Sequence, residues 1–391
     1  MDKVRFGIVG CGNMGTGHSK NFREGKVENG VLTAVCDINP KKLDAFKERF
    51  ADKIAYFDNA EDMFKSGLCD CVIICTPHYS HTDLAISALD HDLNCIVEKP
   101  AGVYTLQVKE MLARAEKSDK ILGIMFNQRT NPAFKTMKKM IAEGKIGEIK
   151  RTNWIITDWY RTQYYYDSGD WRATWSGEGG GVLLNQCPHQ LDLWQWIFGM
   201  PSKIRGFCSY GKYHDIEVED DVTAYAEYDN GATAVFITTT GECPGTNRLE
   251  ISGSKGKIIA EGKKLTFVKN LGDEREHCFT VQAGFEKLKT ETIELTPEYD
   301  MLPQHKGITQ NFTNHLLHGE PLMASGYEGI NGLTISNAIM LSAWKDEQID
   351  VTDPAMEDEF YERLKVKIAG SRRKEKVVDG SPANLAGTYN N

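Results

Sequence analysis

The residues best suited to chemistry lie between Glu178 and Trp196, where the chain reads EGGGVLLNQCPHQLDLWQW. His189 and Asp192 stand three residues apart, which places them on one face if the segment is helical. An imidazole titrates near neutrality and suits general acid–base work. Pro188 fits the first position of a helix, where its missing N–H costs nothing. Leu191, Trp194, Ile197 and Phe198 recur at helical spacing, and Gly199 can cap the end. Upstream, Gly179–Gly181 can turn or let a ligand come close. The bland alternative is that His189 bonds a carbonyl and Asp192 decorates the helix surface. No third metal ligand follows at recognisable spacing, so no metal site is expected.

Such a site needs elements to position it, and the first of them open the chain. Residues 4–9, VRFGIV, read as a buried strand, followed at once by GCGNMG at residues 10–15 and a helix start. In G-x-G-x-x-G the first glycine makes a tight turn, the second admits a pyrophosphate and the third lets helix and strand pack. The N–H groups around Gly10, Gly12, Asn13, Met14 and Gly15 would face the phosphates. A second strand, 31–36, ends at Asp37, where an acidic residue holds the ribose hydroxyls of NAD. Asp37 would repel a 2′-phosphate and Ile38 is not an arginine, so NAD is expected over NADP, with Lys41 and Lys42 leaving NADP open.

The apolar strand CVIIC at 71–75 ends in Thr76-Pro77-His78, at the carboxyl edge where a cofactor lies. A helix is expected from His81, a strand at 94–97, then Glu98-Lys99-Pro100. Lys99, at a strand end, could aim an ammonium into the cofactor cleft; alone it reads better as a surface lysine in a turn. With a helix at 103–117 and a strand at 121–126, residues 1–127 form a doubly wound nucleotide-binding domain.

Beyond residue 127 the pattern changes. A helix over 132–143 and a strand over 149–159 precede an aromatic segment holding Trp154, Trp159, Tyr160, Tyr164–Tyr166, Trp171 and Trp175. Aromatic faces suit the C–H faces of a sugar ring, and core packing explains such clusters equally well. Alternating strands at 202–210, 221–228, 232–240, 248–252 and 257–260 predict a large, mostly antiparallel open sheet. Helices at 304–318, headed by His305, and 330–344 return over it. The expected fold is thus α/β, a Rossmann sheet plus an α+β domain over 128–352. A C-terminal helix and extended tail, 353–391, includes SRRKEK at 371–376, held by a neighbouring subunit.

Bulk properties narrow the function. The chain has 391 residues, a formal charge of −9, 41% apolar and 26% charged residues, which argues against nucleic-acid or anionic-membrane partners. No apolar run approaches a membrane span and the N-terminus does not read as a signal peptide. Ten cysteines without paired CxxC spacing suggest thiols rather than disulfides or zinc. A cytoplasmic enzyme is expected.

Taken together, GIVGCGNMG, Asp37, Glu98-Lys99-Pro100, NQRTNPAFKTMKKMIAEGKIGEI and GGGVLLNQCPHQLD resemble the Gfo/Idh/MocA oxidoreductases, the glucose–fructose oxidoreductase and inositol dehydrogenase family. The resemblance covers residues 4 to about 350. It implies a Rossmann domain followed by an α/β domain whose sheet often mediates oligomers, so a homo-oligomer is expected. It implies Lys99 and His189 flanking the oxidised hydroxyl, with Asn185 as third catalytic position. The family's usual residue there is aspartate, and an amide cannot take a proton as a carboxylate does, although it can bond a sugar hydroxyl. The implied cofactor set is Gly10, Gly12, Asn13, Met14, Gly15, Asp37, Thr76, Pro77, His81, Glu98 and Lys99. The implied substrate set is Lys99, Arg129, Trp159, Tyr160, Arg172, Asn185, His189 and His305. The implied reaction is hydride transfer between a secondary hydroxyl of a sugar, glycoside (with C3 of a glucoside suggested by WRATWSGEGGG) or cyclitol and NAD. A glycosidase that retains NAD through oxidation, elimination and reduction, and a non-catalytic NAD sensor, are the alternatives.

Overall fold

A computed structural model describes residues 2–298 and 300–372. The first six strands are β1 (Val4–Val9), β2 (Gly30–Cys36), β3 (Ala55–Phe57), β4 (Cys71–Ile74), β5 (Asn94–Val97) and β6 (Leu122–Ile124). They form one sheet in the order β3-β2-β1-β4-β5-β6, every neighbouring pair parallel. The helices α1 (Asn13–Arg23), α2 (Pro40–Phe50), α3 (Ala60–Lys65), α4 (His81–Asp90) and α5 (Thr105–Ala115) make the crossovers. Because helices cover both faces, β4 is buried at every position, which is why CVIIC shows no alternation. Local signals set the helix starts: the Asn39 side chain caps Lys41 N–H ahead of Pro40 in α2.

After a short 3-10 turn at Asn127–Thr130, α6 (Pro132–Ala142) leads into β7 (Ile149–Ile156), then α7 (Gln163–Asp167) and α8 (Pro188–Phe198). The strands β8 (Lys203–Tyr210), β9 (Glu219–Glu227), β10 (Thr233–Thr239), β11 (Asn247–Gly253), β12 (Gly256–Glu261) and β13 (Lys264–Asn270) follow. A helix α9 (Glu274–Thr280), β14 (Thr290–Leu295), α10 (Gln304–His318), α11 (Gly329–Lys345), β15 (Ile349–Asp350) and α12 (Ala355–Ala369) complete the chain. These strands build a nine-stranded sheet, β14-β13-β12-β11-β7-β10-β9-β8-β15, antiparallel except for β7 with β10.

One face of this sheet is apolar and covered. Trp154, Ile156, Ala224, Ala226, Ala234, Phe236, Leu249 and Ile251 are buried there, while the opposite face exposes Ile155, Phe207 and Tyr225. Helix α8 is buried at nine of its eleven residues and packs against α11 and α6, the helices on that covered face. Of the aromatic segment, Trp154 sits against Phe134 and Phe236, and Trp175 against Tyr210 and Trp344. These rings are core.

The alternating pattern located β8 through β12 to within two residues at most of their ends. The strands β13, β14 and β15 were not expected from the sequence, nor the short helices α7 and α9. Strand β14 has no buried residue, so no hydrophobic period marks it. The tail expectation falls mostly on residues 373–391, outside the described residues. Ser371 and Arg372, which are described, bond within the chain: Ser371 Oγ and Arg372 N–H both donate to Glu217.

Candidate active site

The glycine loop between β1 and α1 has three different surroundings. Gly10 takes φ +99°, and a Cβ there would lie 2.7 Å from the Cys75 carbonyl oxygen. On Gly15 it would lie 1.9 Å from the Gly10 carbonyl oxygen, whereas on Gly12 it meets nothing within 4 Å. The first and third glycines thus bring strand, loop and helix together, and the second opens outward. Helix α1 starts there with no side-chain cap, so the N–H groups of Asn13 and Met14 point along the open loop as helix N-terminal donors. Asp37 is buried at the end of β2 and accepts the N–H of Cys11 at 2.7 Å and of Asn39 at 2.8 Å. Lys42 lies 3.8 Å from the same carboxylate. An open glycine, free helix amides and an oriented carboxylate are the donor set and shape that a dinucleotide with an unphosphorylated ribose requires.

Two expected cofactor residues take other roles. His81 sets Nδ1 2.8 Å from the Pro100 carbonyl and Nε2 2.7 Å from the Thr76 carbonyl. Both ring nitrogens are therefore engaged, and His81 joins the two strand-end loops instead of offering a polar atom to the cofactor. Glu98 is turned inward, 3% exposed, with Oε1 2.7 Å from Nε2 of His18 on α1. Burial alone would raise its carboxyl, but the His18 bond and the nearby His305 and Lys99 hold it at about 2. Thr76 and Pro77 do stand in the loop after β4, with Thr76 Oγ1 accepting from Ser80.

Lys99 and the α8 stretch meet across the junction of the two sheets. The Lys99 ammonium donates to the Asn185 carbonyl at 2.9 Å. Burial lowers its pKa, the carboxylates of Glu98 and Glu178 work against that, and the Arg172 and Arg161 guanidinium groups add to it. His189 is buried with Nδ1 unpartnered. Burial first, then the charges of Lys99 and His305, holds its pKa well below the ordinary value, so it is a neutral base at pH 7. His305, at the head of α10, packs edge-on to His18 with ring centroids 5.5 Å apart. The Asn185 side-chain amide donates to Glu178, and Glu178 also accepts the Ala173 N–H at 2.6 Å. Arg172 stands 4.6 Å from both the Tyr165 and Trp171 ring centres and donates to the Tyr165 hydroxyl at 3.0 Å. A cavity of about 650 Å³ is lined by Gln128, Asp158, Trp159 and Gln190 together with Leu249 of β11 and Leu265 of β13, and Lys99, Asn185, His189 and Arg172 are not among its lining residues. Tyr160 is exposed.

Arg129, expected at the substrate, makes its bonds inside the protein. It is fully buried, donates to Asp192 at 2.9 and 2.6 Å, to Glu328 at 2.7 Å and to the Met323 carbonyl at 3.1 Å. Asp192 likewise does not serve His189; it fixes α8 to the turn after β6. A guanidinium presents five donors in a plane, and here a ring of acceptors takes up four of them.

Three residues at the site escaped sequence reasoning. Glu178 lay within the stretch singled out, yet only folding brings it back onto Asn185. His18 has no local signature. Glu219 is fully buried, and its Oε1 accepts the Gly181 and Leu183 N–H groups at 2.8 and 3.1 Å. An acid at the buried start of a strand was its one available signal. Among the described residues, no group of three His, Cys, Asp or Glu is arranged to hold a metal, and no helix is long and apolar enough to cross a membrane.

The two-domain fold and the Lys–His junction define a dinucleotide-dependent oxidoreductase. Residues 4–126 match the oxidoreductase family with an NAD-binding Rossmann fold, and residues 134–259 match the GFO/IDH/MocA C-terminal domain. The chain belongs to the Gfo/Idh/MocA family. It is 26% identical over 273 residues to myo-inositol 2-dehydrogenase of Thermotoga maritima, covering 68% of this chain and 77% of that one. It is 24% identical to levoglucosan dehydrogenase of Pseudarthrobacter phenanthrenivorans, covering 90% and 99%. Its fold is similar to the Bordetella pertussis WlbA dehydrogenase solved with NADH and UDP-GlcNAcA, at TM-score 0.75, 25% identity, and coverage of 89% and 98%. The protein is an NAD-dependent dehydrogenase acting on CH–OH.

Proposed function

We propose that the enzyme oxidises a secondary hydroxyl of a sugar, glycoside or cyclitol, with His189 as general base. The carrying observation is a neutral, buried imidazole with an unpartnered nitrogen beside a lysine ammonium. Bound NAD supplies the hydride acceptor. As the carbinol carbon gives up its hydride, the imidazole takes the hydroxyl proton and a carbonyl forms. The Lys99 ammonium holds the oxygen and stabilises its developing negative charge. The Asn185 amide oxygen accepts from a neighbouring hydroxyl. Arg172, 4.6 Å from the Tyr165 and Trp171 ring centres, and Trp159 supply flat faces and donors suited to a ring polyol. The names of the relatives support this substrate class. A glucoside oxidised at C3 is the first substrate to try, on the strength of the WRATWSGEGGG segment.

The reading includes a homo-oligomer formed through the exposed sheet face carrying Ile155, Phe207 and Tyr225 and a cytoplasmic location. Ten free thiols, two of them exposed, fit a reducing compartment.

NADH formation with NAD and a panel of glucose, glucosides and inositols tests the reaction. His189→Ala is expected to lower turnover by about 10²–10⁴ with NAD binding nearly intact by titration. Turnover within a few-fold of the parent would remove His189 from its role.

A further inference from the structure

Glu178 occupies a position that the mechanism above does not use. It is 2% exposed, in a site otherwise crowded with cationic and imidazole groups. A carboxylate is left in such surroundings only when its charge and lone pairs are answered. One oxygen takes the Asn185 amide and the other the N–H of Ala173, the residue directly after Arg172. Its backbone carbonyl stands 3.1 Å from Nδ1 of His78, in the loop after β4. Lys99 in turn donates to the backbone carbonyl of Asn185 at 2.9 Å. An amide whose NH₂ is bound to a carboxylate has its orientation decided, because its oxygen must face away from that carboxylate.

We propose that Glu178 is the positioning residue of this site: it locks Asn185 so that the amide oxygen faces the substrate as an acceptor, while the Asn185 backbone carbonyl holds the Lys99 ammonium. The proposal rests on the dehydrogenase reading. The groups facing Lys99 are the carboxylates Glu98 and Glu178, the guanidinium groups Arg161 and Arg172, and the imidazoles of His78, His81, His189 and His305. Glu98 is already committed to His18. Glu98 acts on the Lys99 charge first and Glu178 second; of the two, Glu178 is the one that also holds the Asn185 amide.

The test exchanges the two side chains. Glu178→Gln is expected to lower kcat by about 10–100-fold, the range for losing an orienting outer partner. It should also move the alkaline limb of kcat/KM to lower pH, because Lys99 loses a facing charge. Asn185→Asp alone should be impaired as well, since it sets two carboxylates together. The double variant Glu178→Gln/Asn185→Asp keeps one amide and one carboxylate in contact. The amide oxygen then present at position 178 can still accept from Ala173, and the double variant should recover kcat to within a few-fold and return the alkaline limb. A merely structural Glu178 would change melting temperature without moving that limb, and the exchange would not rescue it. A double variant no better than either single one overturns the proposal. A second readout needs no substrate: the pH dependence of Lys99 acylation, followed by mass spectrometry on the NAD-loaded enzyme. Its midpoint should fall in Glu178→Gln and return in the double variant, and an unmoved midpoint also overturns the proposal. Silence of the parent enzyme on the whole polyol panel would instead remove the proposed sugar and cyclitol substrates, with the acylation midpoint still deciding the role of Glu178.

Discussion

The molecule contains two glycine clusters, and they do different things. In the loop Gly10–Gly15 the middle glycine faces open space. In Gly179–Gly181 all three face protein: added Cβ atoms would lie 2.3 Å from Val103, 3.1 Å from Leu184 and 1.9 Å from the Glu219 carbonyl oxygen. Either cluster could have admitted a ligand to the backbone, since glycine permits both turning and close approach. The first admits a ligand; the second lets the chain pack on itself. Its packing against Glu219 sets where Asn185 and His189 emerge, so the stretch proposed for catalysis depends on its own core in a way the cofactor loop does not.

This contrast can be broken at its strongest point first. Arg129→Ala would leave the Asp192 carboxylate buried without its partner, at a cost of about 3–5 kcal/mol, read by chemical denaturation. A loss under about 1 kcal/mol would mean that α8 does not depend on this anchor. Gly181→Ala comes next, since the clash is with backbone; about 1–3 kcal/mol is expected, together with lost turnover. Gly12→Ala should leave the melting temperature unchanged, and Gly12→Val should weaken NAD binding by calorimetry while the fold persists. Equal losses of stability at Gly181 and Gly12 would erase the distinction between the loops.

The smallest effect is a pH slope. Burial lowers His305 from 6.5 to about 4, so its unfolded form binds more protons between those values. Its contribution is complete above 6.5 and is lost as pH falls toward 4. Burial raises Glu219 from 4.5 to about 7, ahead of the bonds from Gly181 and Leu183 that oppose it. That contribution is complete below 4.5 and is lost as pH rises through 7. Glu219→Gln should therefore remove the second slope and leave the first, in melting temperature recorded from pH 4 to 8. An unchanged slope would show that Glu219 is already ionised beneath the loop.

Much of this was legible beforehand where local rules decide. Strand β1, the glycine loop, Asp37 and the apolar strand β4 follow from periodicity and turn chemistry. Pro188 and Gly199 bound α8 as the sequence predicts. The junction of Lys99 with Asn185 and His189 was legible as a resemblance and not from spacing, because 86 residues separate Lys99 from Asn185. Partners were less legible than positions. Arg129, His81 and Glu98 were expected at the cofactor or the substrate because the resemblance implies it. Each is instead consumed by a partner distant in sequence or by a backbone carbonyl.

By itself the sequence determined the class of most elements, the dinucleotide fingerprint and the place of the candidate base, since these depend on residues adjacent along the chain. Only the tertiary structure decided which polar groups are spent on one another. It gave Asp192 to Arg129 and Glu178 to Asn185, and it pressed one glycine loop closed while leaving the other open. The reason is physical: a buried charge must find an acceptor or donor nearby in space, and that neighbour is set by how the two sheets dock.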